Sequence, residues 1–214
     1  MEQKLPATKT FRYEISSESE GFDTVLYVLH GYGQQSQYFI RKFRALFDDL
    51  LVVAPEGMHR FYLQGSSGRV GASWMTKEAR EDDIADNLRW LQELDAHISA
   101  QYRPKRKLLL GFSQGGATAA RWYHNGTVPF DAMILWACVF PPDLKPEEEI
   151  RKASDQHFVI GTDDEFYDQG SQDELVQFYA SNGFTTHRFT GKHDIDITTL
   201  ESILDKINTE VPNP

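Results

Sequence analysis

The chain has 214 residues and a single cysteine, Cys138. That excludes an internal disulfide framework and fits a reducing compartment. No apolar run approaches the length needed to cross a bilayer. The opening MEQKLPATKT lacks the apolar stretch of a signal peptide. A cytoplasmic protein is the expectation. Basic charge is also short: 22 Lys and Arg stand against 32 Asp and Glu, for a net charge of −10. Such a surface argues against nucleic acid or an anionic membrane as the main partner. Repeats, low-complexity tracts and long linkers are missing. No metal-ligand spacing and no phosphate-cradling glycine loop appears, so no metal and no cofactor are expected.

What remains is an ordinary globular composition, 40% hydrophobic and 13% aromatic, able to bury a sizeable core. We read one domain over residues 1–214. Short, nearly continuous apolar runs recur at Thr24–Leu29, Leu50–Ala54, Lys107–Phe112, Ala132–Val139 and His157–Ile160. Gly, Pro or polar residues bound each of them. That pattern suits parallel strands buried on both faces. Thr185–Phe189 reads as a last strand, and Thr10–Ser16 alternates like an antiparallel edge.

Helical periods lie between the runs. Phe39, Ile40, Phe43, Leu46 and Phe47 repeat at three and four, with Ser36 as the expected N-cap. Ile84 to Ile98 carries one apolar stripe. Leu175 to Tyr179 runs into an Asn182-Gly183 stop, and Ile197 to Ile207 is amphipathic. Strand alternating with helix predicts an α/β fold, a mostly parallel central sheet with helices on both faces. Two segments read as long aperiodic loops, Glu56–Met75 and Phe140–Ala153, with Glu147 to Glu149 expected on a solvated helix face. Loops at the carboxyl ends of parallel strands border the crevice of such a sheet.

Candidate chemistry begins at Gly111-Phe112-Ser113-Gln114-Gly115. This G-x-S-x-G follows an apolar strand and opens a helix at Gly116-Ala117. A sharp strand-to-helix turn lifts the central hydroxyl clear of the sheet, so Ser113 is the candidate nucleophile. A serine needs a base. For this strand-turn-helix class the chain order is Ser, acid, His. His193, after Gly191-Lys192 and before the final helix, is therefore the candidate base. His187 lies inside a strand, and His30 reads as a structural loop residue. The acid falls in Gly161-Thr162-Asp163-Asp164-Glu165. Asp163 and Asp164 have suitable length, and Glu165 is a third candidate. Two donors are needed for a developing oxyanion. The backbone N–H groups of Gln114 and Tyr32, the latter in His30-Gly31-Tyr32-Gly33, are the candidates. Cys138 reads as an inert core thiol.

Taken in order, Leu29-His30-Gly31-Tyr32-Gly33, Gly111-Phe112-Ser113-Gln114-Gly115-Gly116, Gly161-Thr162-Asp163-Asp164 and Gly191-Lys192-His193 resemble the α/β-hydrolase superfamily. The resemblance is nearest its phospholipase/carboxylesterase branch, which includes small bacterial carboxylesterases and acyl-protein thioesterases, and it covers about Thr24 to Ile207. It implies a serine hydrolase acting on carboxylic esters of short to medium acyl chains, with Ser113, Asp164 and His193 as catalytic residues; an acyl-thioesterase, lysophospholipase or peptidase on the same fold is the alternative, and a non-catalytic binding protein that keeps the fold is a further one. Tyr32 and Gln114 would form the oxyanion hole. No large lid domain is expected, since the chain is spent on the basic fold, and the expected partner is a small-molecule ester rather than nucleic acid or a stably inserted membrane. A homodimer stays open. Trp74 resembles a position near the family's substrate groove. Met75, Phe140 and Phe166, with Phe61, Tyr62 and Tyr167, fall in or beside the strand-end loops and are candidate lining residues. Two departures stand out. Glu165-Phe166-Tyr167 replaces the proline and aliphatic residues that thioesterase-like members place after the acid. Gln34-Gln35 stands where many members carry an aspartate.

Overall fold

The computed structural model describes residues 1, 3–145 and 155–209. Seven strands form the main sheet: β1 (Tyr13–Ile15), β2 (Thr24–Leu29), β3 (Leu51–Pro55), β6 (Arg106–Phe112), β7 (Ala132–Trp136), β8 (Asp155–Gly161) and β9 (Thr185–Phe189). Their spatial order is β1-β3-β2-β6-β7-β8-β9. All neighbours pair in parallel except β1, which runs antiparallel to β3 at the edge, as the alternation of Thr10–Ser16 predicts.

The continuous apolar runs become buried strands because both faces are covered. Alternate residues serve opposite sides. Val25, Tyr27 and Leu29 of β2 pack with Trp90, Leu91 and Leu94 of α2 (Arg80–Tyr102) and Trp122 of α3 (Gln114–Asn125). Leu26 and Val28 pack on the other side with Phe39, Phe43 and the inner face of α5 (Ile197–Thr209), which presents Leu200, Ile203, Leu204 and Ile207. One more helix, α4 (Gln169–Ser181), covers β8 through Tyr179, whose ring stacks on Phe158 at 3.9 Å.

Three local expectations are corrected. Glu56–Met75 is not an aperiodic loop but holds a hairpin, β4 (His59–Gln64) against β5 (Ser67–Ser73), turning at Gly65 with φ +76°. Most of β4 and the first half of β5 are solvated, so no alternation of core residues marks them in the sequence. The 36–47 helix is one short α turn, α1 (Ser36–Phe39), continued by a 3₁₀ helix (Ile40–Leu46). Ser36 is its first residue and not its cap; Gln35 is the cap, and the Ser36 hydroxyl donates to buried Glu56 at 3.3 Å. The Ala132 strand stops at Trp136, because Ala137 turns to φ +49°. Glu147 to Glu149 lie outside the described residues. No helix among the described residues is long and apolar enough to cross a membrane.

Strand order leaves β2 in both directions, toward β3 on one side and β6 on the other. Such a reversal opens a crevice at the carboxyl ends of the two central strands. The loop after β2 starts at His30, and the turn after β6 is Ser113. The fold therefore places the two most distinctive sequence motifs side by side.

Candidate active site

Ser113 sits between β6 and α3 with φ 53° and ψ −121°, a region that side-chain-bearing residues rarely adopt. Its N–H donates to the Trp136 carbonyl at 2.9 Å and its carbonyl accepts from Gly116 N–H at 2.9 Å, which holds the turn. The glycines that follow are required by contact. A side chain at Gly115 would collide with the backbone carbonyls of Leu29 and His30, and one at Gly116 with the Cys138 sulfur. Burial pushes the Cys138 thiol up to about 12, so it is an inert packing partner for the elbow.

His193 stands in the loop between β9 and α5. Its Nδ1 lies 2.7 Å from Asp164 Oδ2. A carboxylate only accepts, so Nδ1 carries the hydrogen, and the neutral form of the ring then has Nε2 as its acceptor. Asp164 is 3% exposed, and its other oxygen accepts the Phe166 N–H at 3.0 Å. Of the three adjacent acids, Asp164 is the one that meets the His193 ring. Asp163 is exposed and bonds through its backbone to the Gly191 carbonyl. Glu165 is exposed and accepts the His193 backbone N–H at 3.3 Å; a bond from its own backbone, and then that from His193, hold its carboxyl below the usual range. The His193 ring lies between two aromatics, Phe112 at 4.8 Å and Phe166 at 4.5 Å. Phe112 immediately precedes Ser113, so this packing brings the elbow and the histidine to the same place.

His30 lies in the loop after β2, not beside Asp164. Burial drives it down to about 4, against the smaller opposing pull of the Gly31 carbonyl and Glu56, so it is neutral. Nε2 accepts the Gly57 N–H at 2.9 Å, and Nδ1 donates to the Gly31 carbonyl at 2.8 Å. That carbonyl belongs to the same trans peptide as the Tyr32 N–H, which therefore points the opposite way. Gly31 itself is close to the elbow: a Cβ built on it would lie 3.2 Å from the Ser113 Cβ. The Gln114 N–H is the first of α3 and has no helical carbonyl to bond.

The lining expectations divide. Trp74 is corrected: its side chain is 0% exposed and cannot border a groove. Its indole N–H donates to the His30 carbonyl at 2.8 Å, and it stacks on Trp90 at 6.4 Å. Its backbone N–H donates to Gln114 Oε1 at 3.1 Å. The Gln114 amide also donates to the Ser73 hydroxyl at 3.0 Å and to the Met75 carbonyl at 2.9 Å. Met75 is half-buried, its sulfur 3.5 Å from Arg121 Nη1. Phe140 is mostly buried against Phe178, Tyr179 and Phe184, with one edge on a groove of about 430 Å³ shared with Val139, Tyr167, Leu175 and Phe178. Phe166, 70% exposed, covers His193. Sequence reading missed the Gln114 side chain and the Phe112 ring. The only sequence signal for either was its position in the Ser113 motif.

A family model described as Phospholipase/Carboxylesterase matches residues 12–211. The chain belongs to this family. It is thus a member of a hydrolase family, and its sheet and helices are those of the α/β-hydrolase fold. Solved structures of similar fold include a carboxylesterase from Mesorhizobium loti, at 15% identity and TM-score 0.73, covering 94% of this chain and 95% of that one. Acyl-protein thioesterase 2 from Zea mays is 14% identical with TM-score 0.67, covering 92% and 98%. A Bacillus cereus carboxylesterase is 16% identical with TM-score 0.64, covering 93% and 94%. At such identities the likeness is one of fold. Among the curated proteins, none matches the chain.

Proposed function

We propose that the chain is a single-domain serine hydrolase that cleaves carboxylic esters of short to medium acyl chain through an acyl-serine intermediate. The observation that carries this reading is the Asp164–His193 bond beside a strained serine elbow. Asp164 fixes the tautomer, so His193 Nε2 takes the Ser113 proton as Oγ attacks the ester carbon. The Tyr32 and Gln114 N–H groups receive the negative oxygen. The tetrahedral intermediate collapses, His193 returns the proton to the leaving alcohol, and an ester of Ser113 remains. Water, deprotonated by the same histidine, attacks that ester and releases the acid. The apolar groove edged by Val139, Phe140 and Phe178 takes the acyl chain. A panel of esters, acyl-thioesters and amides of increasing acyl length tests the bond and the chain. Oxygen esters from acetyl to octanoyl should turn over fastest. Faster turnover of thioesters or amides would replace the ester reading.

The same reading gives Trp74 a positioning role. One indole N–H holds the Tyr32 side of the oxyanion hole through His30, and the Trp74 N–H and Met75 carbonyl hold the Gln114 side. Trp74→Phe keeps most of the ring packing and removes the N–H. A buried hydrogen bond of about 1 kcal/mol spent on geometry corresponds to a fall in kcat of roughly five- to tenfold. KM should stay nearly constant, and affinity for a trifluoromethyl ketone, a mimic of the tetrahedral state, should weaken in parallel. A change confined to thermal stability would remove the role.

A further inference from the structure

A second cavity, of about 630 Å³, borders the loop that follows β2. Its walls are Gly33, Gln34 and Gln35, then Tyr38 and Lys42 from the α1–3₁₀ segment, and Arg69 from β5. It begins close to the chemistry. Gly31, against the Ser113 Cβ, is two residues from Gly33, a span of at most about 7 Å of chain. The far wall is tied to the histidine loop, because Lys42 Nζ pairs with Asp194, the residue after His193, at 2.5 Å.

The charge of this cavity runs against that of the protein. The chain is −10 overall, yet no acid lines the groove, and two cations do. Gln34 and Gln35 supply carboxamides where an aspartate would have supplied a negative charge. Lys42 is matched by Asp194, whereas the Arg69 guanidinium makes no hydrogen bond or ion pair among the described residues. The lining therefore presents the unpaired Arg69 guanidinium, a planar fork of donors that fits a carboxylate, and Arg41 adds a further cation at the Tyr38 ring. The Gln34 amide oxygen is used by the Gly31 N–H at 2.9 Å, and its NH₂ group remains to donate. Tyr38, 57% exposed, lines the same wall with the Arg41 guanidinium 5.0 Å from its ring centroid, which leaves the opposite ring face to border a ligand.

We infer that this groove binds a carboxylate carried on the alcohol side of the ester. The inference rests on the ester-hydrolase reading, with the acyl chain in the apolar groove. The enzyme so built prefers monoanionic esters: Arg69 pairs with the carboxylate, Gln34 donates to it, and the connecting part of the alcohol lies along Tyr38.

The test compares butyryl esters of para-hydroxybenzoate and para-hydroxyphenylacetate with the butyryl ester of para-cresol, in which a methyl group replaces the acid. The wild type should favour an anionic ester in kcat/KM, and added NaCl should shrink the preference. Arg69→Glu should lower the anionic-to-neutral ratio of kcat/KM by about tenfold, and Arg69→Lys should retain part of it. Arg69 is exposed on a hairpin, so these variants should fold. Turnover of the cresol ester with no anionic preference, or a ratio that Arg69→Glu leaves unmoved, overturns the groove and leaves ester hydrolysis standing. No turnover of any of these esters overturns both.

Discussion

Ser113→Ala should reduce ester turnover by about a million-fold, to the level that binding and the oxyanion donors alone can sustain. The size of the effect follows from the chemistry. Without Oγ there is no acyl-enzyme, and His193 has no proton to accept from the attacking group. The variant should remain folded, because alanine meets the same backbone requirement as serine at φ 53° and removes no side-chain hydrogen bond of the described structure. Single-turnover measurement with para-nitrophenyl butyrate, alongside a thermal melt, separates loss of the nucleophile from loss of the fold. Turnover within about tenfold of wild type would take Ser113 out of the mechanism.

Asp164→Asn should lower kcat by about four orders of magnitude. Asparagine fits the same space and can still bond His193. It can, however, present its NH₂ to Nδ1, which then accepts, so the ring proton moves to Nε2 and faces Ser113. The base is lost although the ring stays in place. Asp163→Asn should leave kcat within about threefold, since its exposed carboxyl makes no bond to the histidine ring. Glu165→Gln should have a small effect, as the neutral amide oxygen can still accept the His193 N–H. The kcat of the three variants at neutral pH decides the ranking. A large loss in Asp163→Asn with little in Asp164→Asn would move the acid one residue back.

Much of the fold was legible because its central strands are buried on both faces. Leu26 and Val28 face one layer while Tyr27 and Leu29 face the other, so β2 has to be apolar throughout. The start of α2 was less legible, since Arg80 to Asp83 are polar and precede the apolar stripe. The β4–β5 hairpin left no periodic trace because most residues of its outer half are exposed. Ser36 read as a cap from its residue type, but its hydroxyl is used by Glu56, twenty residues away in sequence.

The candidate site divides along the same line. Ser113 and His193 were singled out by local motif and chain order. Choosing among Asp163, Asp164 and Glu165 needed three dimensions, because adjacent carboxylates differ only in where the turn aims them. Trp74 was misplaced for a related reason. A loop aromatic near a crevice can line it or buttress it, and only the bond from its indole to the His30 carbonyl shows which. The cationic groove was beyond sequence reading, since Arg69 and Lys42 come from separate elements and meet only in the folded chain.

The central claim is that Ser113 is an activated nucleophile served by His193 and Asp164. A fluorophosphonate reacts by far the fastest with such a serine, so intact mass and peptide mapping of the treated protein test the claim directly. The account predicts one adduct, on Ser113, absent from Ser113→Ala and formed far more slowly in Asp164→Asn. A folded protein that gains no adduct, or gains it on another residue, would contradict it.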